Sequence, residues 1–200
     1  MQNKPGLLVV ISAPSGGGKT TVIREILKSG DDLFQYSVSA TTRKPRGHEK
    51  DGVDYYFISE EEFQRRVEAG DFIEWAKVHG HYYGTPRQPI DEAIARGKII
   101  FLDIDVQGGL EVKKQYGDDA LLIFIMPPSM EELEKRLRGR KTDSEAEIAK
   151  RLAAVPVEIE KSQFYDAVVV NNDLQETVKK VREIVYKTYQ AKAGGLKAHD

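Results

Sequence analysis

The sequence predicts an α/β fold, with a mainly parallel central sheet between helices and a small β-containing unit inserted into it. Three observations lead there. Four short apolar runs each stand just before a helix-like segment. These runs are continuously apolar rather than alternating, which marks strands buried on both faces. Between residues 37 and 89 this strand-then-helix rhythm stops, and the chain turns polar and aromatic.

Taken in order, Leu7-Leu-Val-Val-Ile-Ser12 reads as the first buried strand, leading to a helix over Lys19 to Lys28. In the insertion, Asp51-Gly52 and Gly80 mark turns around short runs such as Asp54-Tyr-Tyr-Phe-Ile58, and Ser59 with Glu62 forms a capping box that opens a helix from Glu60 to Ala69. Lys98 to Ile104 is a strand before a helix at Gly108 to Gln115, and Ala120 to Met126 a strand before a helix at Met130 to Arg138. Two charged helices follow between Pro127 and Pro156, capped by Ser129 with Glu132 and by Thr142 with Glu145, with Gly139 in the joint. Ala167 to Val170 is the last strand, and a long helix from about Leu174 to Lys192 precedes a frayed tail, 193–200.

Composition narrows the function. Of 200 residues, 40% are hydrophobic and 31% charged, a balance that supplies a packed core. Lys+Arg 30 against Asp+Glu 32 leaves no basic field for a nucleic-acid backbone. With Cys 0, disulfides, cysteine–zinc sites and thiol nucleophiles are excluded. The run Leu7 to Ile11 is too short for a signal-peptide core, and Ala120 to Met126 falls short of a membrane span. A cytoplasmic protein with no membrane partner is expected.

Chemistry enters at Ala13-Pro-Ser-Gly-Gly-Gly-Lys-Thr20, between a strand and a helix. Apart from Ala13 in place of the first glycine, it fits the phosphate-binding pattern G-x-x-x-x-G-K-[ST]. Gly16, Gly17 and Gly18 allow backbone amides to turn inward around phosphate oxygens. The helix N-terminus adds the positive end of its dipole, Lys19 reaches the terminal phosphates, and Thr20 offers a hydroxyl to Mg²⁺. A nucleoside triphosphate site follows.

Such a loop serves switches, motors and kinases alike. Asp105-Val-Gln-Gly108 fits the D-x-x-G of GTPases, but the guanine-reading N-K-x-D is missing; Asn3-Lys-Pro-Gly6 lacks the aspartate. A second anion site is carried by Thr41-Thr-Arg-Lys-Pro-Arg46, followed by tyrosines at 55, 56, 82 and 83. Guanidinium forks suit bidentate phosphate contacts, and tyrosine hydroxyls complete such a cup. A kinase that phosphorylates a phosphate must hold two anionic partners.

With these segments, Asp54-Tyr55, Phe72-Ile-Glu-Trp75, Tyr82-Tyr-Gly-Thr85, Leu102-Asp-Ile-Asp105, Arg136-Leu-Arg-Gly-Arg140 and Val170-Asn-Asn-Asp-Leu174, the chain resembles the guanylate kinase family over nearly its whole length. The resemblance implies a three-layer P-loop fold: a core over 1–36, 90–126 and 157–192, a GMP-binding subdomain over 37–89 and a helical lid over 127–156. It implies ATP and GMP as partners, dGMP as a further acceptor, and Mg²⁺. Ala13, Pro14, Ser15, Gly16, Gly17, Gly18, Lys19, Thr20 and Thr21 then bind ATP, with Asn171 near the adenine. Arg136, Arg140 and Arg151 match lid arginines that close over the phosphates, acting in catalysis with Lys19 and Arg43.

The same resemblance has Arg43, Arg46, Tyr55 and Tyr83 hold the GMP phosphate, and sets Ser39, Glu74, Thr85 and Asp105 around the guanine. Guanine's N1–H and N2 amino group are a donor pair that the Glu74 carboxylate can accept together. Asp103 and Asp105 end a strand where ligand-facing acids cluster; the resemblance assigns Asp103 to Mg²⁺ and Asp105 to GMP.

Three departures stand out: Ala13 itself, Lys141 where the family has glycine, and Pro156 where it runs an unbroken helix. Pro156 costs the hydrogen bond to the Leu152 carbonyl, so a kink or end, and a lid hinge near Val155–Pro156, is expected. Related scaffold modules bind peptides without chemistry, but those typically lose the loop lysine, whereas Lys19 and Thr20 are intact here. The sequence leaves monomer and homodimer both open.

Overall fold

The computed structural model describes residues 5–78, 80–139 and 144–195. Its centre is a five-stranded sheet in the order β2-β7-β1-β8-β9, every pairing parallel. The strands are β1 (Leu7–Ser12), β2 (Phe34–Tyr36), β7 (Ile99–Asp103), β8 (Ala120–Met126) and β9 (Ala167–Val170). β1 and the first six residues of β8 are wholly buried, as continuous apolar runs require. Alternate residues of β1 feed two cores. Leu7, Val9 and Ile11 pack with α1 (Lys19–Leu27) and α7 (Leu174–Gly195) on one face. Leu8 and Val10 pack on the other with α3 (Arg87–Ala95) and α4 (Val106–Tyr116).

The strand order places the C-terminal ends of β1 and β7 side by side, with Ile11 opposite Asp103. Chains leaving neighbouring parallel strands toward different layers open a crevice there. The site lies at that crevice.

The second sheet has the order β4-β3-β6-β5, built from β3 (Ala40–Thr41), β4 (Tyr56–Phe57), β5 (Phe72–Val78) and β6 (His81–Pro86). β5 and β6 form an antiparallel hairpin with a register shift between Phe72 and Glu74. Its own small core is Ala40, Phe63 and Phe72, with Phe63 coming from α2 (Glu60–Glu68). The Ser59 hydroxyl caps α2 by accepting the Glu62 N–H at 3.1 Å. The reciprocal half of that box is replaced, because the Glu62 carboxylate takes Arg66 at 2.7 Å.

Helices α5 (Met130–Gly139) and α6 (Glu145–Lys161) follow β8. Ser129 caps α5 as expected, accepting the Glu132 N–H at 3.2 Å. Thr142, expected to cap the next helix, lies outside the described residues, as do Arg140 and Lys141; the cap is Ser144. Its hydroxyl accepts the Glu147 N–H while the Glu147 carboxylate accepts the Ser144 N–H.

The expected helix end at Pro156 is corrected: α6 runs unbroken through it to Lys161. One lost backbone bond is outweighed by that cap and by the burial of Ile148 and Val155 on the same helix. The long helix α7 extends three residues past the expected Lys192. Among the described residues, no helix is long and apolar enough to cross a membrane.

Candidate active site

The loop between β1 and α1 turns on two left-handed glycines, Gly16 (φ 89) and Gly18 (φ 93). Gly18 is also the N-cap of α1 and brings no side chain to its first-turn amides, which leaves them for an anion. Gly17 donates to the Pro14 carbonyl at 2.7 Å, and a Cβ on it would lie 2.8 Å from the Cβ of Ala13. Ala13 and Pro14 are buried under the loop, whereas Thr20 and Thr21 are exposed at the start of α1. At its far end Lys19 pairs with Asp103 at 3.3 Å, and the Thr20 hydroxyl donates to the other oxygen of the same carboxylate.

Other elements converge on this loop. A Cβ on Gly16 would meet Leu137 at 2.9 Å and Leu133 at 3.2 Å, so α5 rests directly on it. Arg136 is oriented by Glu132 at 3.0 Å and donates to the Asn171 carbonyl at 3.3 Å. Arg151 on α6 reaches the Ser15 hydroxyl at 3.2 Å. Asn171, expected near a base, has both ends of its amide engaged by the protein. It donates to the Gly17 carbonyl at 3.0 Å and accepts from Thr177 at 3.2 Å.

Across the crevice stands the second cup. Arg43 is buried, donates to the Tyr83 hydroxyl at 3.2 Å and lies 5.4 Å from the Tyr55 ring centre. Arg46 and Tyr55 line a cavity of about 430 Å³ together with Thr20 and Asp103, so the two cups open on one space. Burial, then the charge of Asp103, raises the Tyr55 hydroxyl pKa above its ordinary value.

Deeper in the insertion the Thr85 hydroxyl donates to Glu74, and a Cβ on Gly108 would lie 3.0 Å from that carboxylate. Asp105 caps α4 by accepting the Gly108 N–H at 2.8 Å. Glu74, Thr85 and Asp105 are thus gathered at one helix N-terminus. Burial first, then the Asp105 charge, pushes the Glu74 pKa up to about 7, against the Thr85 hydrogen bond. Ser39 is held at the edge of β3, its carbonyl accepting the Tyr56 N–H at 2.9 Å.

Three participants were not anticipated from the sequence. Glu49 grips Arg43 through both terminal nitrogens. Arg24 on α1 bridges to Asp54 at 3.0 Å, tying the loop's helix to the insertion, and Tyr36 also lines the cavity. The one available signal was an acid three residues after Arg46 in a loop of cations. His48 lines the cavity from its loop, while His81, expected in a loop, opens β6. His79 and His199 lie outside the described residues.

A glycine-loop anion cradle at the end of β1, facing a cation-and-tyrosine cup on an inserted sheet, defines a P-loop kinase of the nucleotide-phosphorylating type. The comparisons narrow this. The family model described as guanylate kinase matches residues 6–188, so the chain belongs to the guanylate kinase family. Guanylate kinase of Myxococcus xanthus (strain DK1622) is 50% identical over 182 residues, 90% of this chain and 86% of that protein. Guanylate kinase of Thermotoga maritima is 48% identical over 180 residues, 90% of this chain and 86% of that protein. The crystal structure of guanylate kinase from Anaplasma phagocytophilum superposes with a TM-score of 0.77 at 37% identity, covering 94% and 88% of the two chains. A gluconokinase from Sinorhizobium meliloti, at 16% identity and a TM-score of 0.50, shares the fold alone.

Proposed function

We propose that this chain transfers the γ-phosphoryl group of ATP directly to the phosphate of GMP, and of dGMP, yielding ADP and the diphosphate. The observation that carries this reading is the shared cavity. Thr20 and Asp103, beside Lys19, line one wall and Arg46 and Tyr55 the other, so the phosphates of two nucleotides meet without crossing protein.

Gly16 to Thr20 cradle the ATP phosphates. Arg43, Arg46, Tyr55 and Tyr83 hold the acceptor phosphate, while Glu74 and Asp105 accept from guanine's N1–H and N2 amino group. Thr85 and Ser39 complete the base pocket. Adenine would set its acceptor N1 against Glu74 and leave a buried carboxylate unpaired, a mismatch that polar sites reject by ~10⁴–10⁵.

The acceptor phosphate is already largely ionised near neutral pH, because its second pKa is about 6, and no general base is needed. Catalysis is therefore positioning and charge neutralisation by Lys19, Arg43 and the arginines of α5 and α6. The Thr20 hydroxyl and the Asp103 carboxylate, already in contact, are an all-oxygen donor pair that suits Mg²⁺. When bound, Mg²⁺ supplies charge neutralisation at the terminal phosphates. The expected compartment is the cytoplasm.

A coupled ADP-release assay with Mg-ATP against GMP, dGMP, AMP, CMP, UMP and dTMP tests the reading. Preference for AMP or dTMP would overturn the guanine assignment and spare the kinase; no turnover with any acceptor would overturn both.

A further inference from the structure

Arg43 offers the acceptor far less than its five N–H groups. Its side chain is 7% exposed, and the protein consumes most of its donors. Nε donates to Tyr83 at 3.2 Å, and Nη1 to the Lys44 carbonyl at 2.7 Å and to Glu49 at 2.9 Å. Nη2 donates to the second Glu49 oxygen at 3.0 Å. Of five donors, one N–H on Nη2 is left without a partner among the described residues. The bidentate fork that the sequence suggests for phosphate is closed on a carboxylate.

That carboxylate does a second job. Glu49 Oε2 accepts the backbone N–H of Arg46 at 2.7 Å, and the Glu49 N–H returns to the Arg46 carbonyl at 3.0 Å. One side chain therefore fixes the guanidinium of the first arginine and the backbone that carries the second. Glu49 itself lines the cavity beside Arg46 and Tyr55. A buried guanidinium stripped of its carboxylate is costly and swings toward water. Held, it presents one N–H, with the Tyr83 hydroxyl free to donate because its oxygen already accepts from Nε.

We propose that Glu49 is a positioning residue for the acceptor: it holds Arg43 and Arg46 in the fixed array of donors that binds the acceptor's phosphate monoester. This rests on the GMP reading above. The contrary possibility, that Glu49 is a stand-in anion which the phosphate displaces, predicts the opposite sign and is an outcome of the test.

The experiment measures kcat, KM for GMP, KM for ATP and thermal midpoint for the wild type, Glu49→Gln, Glu49→Ala, Arg43→Ala and the Glu49→Ala/Arg43→Ala double variant. Expected is a rise in KM for GMP of about tenfold or more in Glu49→Ala, the scale of a hydrogen bond to a charged group, with KM for ATP within about twofold. Glu49→Gln, which keeps one acceptor oxygen, falls between wild type and Glu49→Ala, and carries the test if the alanine variant does not fold. The double variant is worse than Arg43→Ala alone, but by less than Glu49→Ala costs the wild type, because part of the glutamate's effect runs through Arg43 and the rest through the Arg46 backbone.

An unchanged or lowered KM for GMP, a parallel rise for both substrates, or additive losses overturns the proposal. A wild type inactive on GMP overturns the functional reading and this proposal with it. A wild type active on GMP with both glutamate variants unaltered overturns only the proposal.

Discussion

Glu74 should cost the protein stability in exchange for the base-reading role proposed for it, and Glu74→Gln should recover it. Burial lifts the carboxyl from an ordinary 4.5 to about 7. At 1.36 kcal/mol per tenfold, that gap corresponds to about 3 kcal/mol once the group is ionised in both states. The sign follows from proton counting. Between 4.5 and about 7 the folded state binds more protons than the unfolded one, so stability falls as pH rises through this window. Below it the cost vanishes; above it the cost is full. Glutamine keeps an acceptor for the Thr85 hydroxyl but carries no charge.

Urea unfolding of the nucleotide-free protein at pH 5 and pH 8 measures this. The variant should be more stable than wild type by about 3 kcal/mol at pH 8 and by under about 1 kcal/mol at pH 5. At the same time kcat/KM for GMP should fall by about 10² or more, because the new amide opposes guanine's amino group with a donor. A variant no more stable than wild type at pH 8 would refute the reasoning, and so would a gain of equal size at both pH values.

Three further outcomes are expected. Guanosine, which has no phosphate to titrate, should inhibit competitively with a Ki that rises about tenfold per pH unit below the Glu74 pKa of about 7, and Glu74→Gln should flatten that profile. Gly17→Ala should lose about 1–3 kcal/mol of stability from overpacking and weaken ATP binding, because its Cβ would sit 2.8 Å from that of Ala13. Adding Ala13→Gly should recover part of both in thermal melts and ATP titrations. Arg136→Ala should lower turnover by about tenfold or more, since a well-placed arginine is worth up to ~10³–10⁵; a rate within about threefold of wild type removes Arg136 from the mechanism.

β1, β7 and β8 were readable because they are buried on both faces, which only continuous apolar runs such as Leu7–Ile11 and Ala120–Ile125 satisfy. The edge strand β9, read the same way, instead leaves Val168 and Val170 exposed. The glycine loop was readable because its chemistry demands residue types at fixed spacing. Its helix start is equally local, as are the caps at Ser59 and Ser129. Helix α3 was missed: Pro89 and the charged, turn-like flanks of Arg87–Ala95 hide a face that becomes apolar only when Ile90 and Ala93 meet the sheet.

Local chemistry along the chain was therefore enough for β1, β7, β8 and β9, the glycine loop and the residue types of both cups, each of which depends on neighbours a few positions away, but not for β2 or α3. Which partner each polar group takes depended on folding. Lys19 meets Asp103 across 84 positions, Asn171 closes on Gly17 across 154, and α6 continues through Pro156. Arg43, chosen for its fork, gives that fork to Glu49. Hydrogen bonds and ion pairs are short-ranged and saturable, so competition among donors and acceptors is settled only when the strands bring them within about 3 Å.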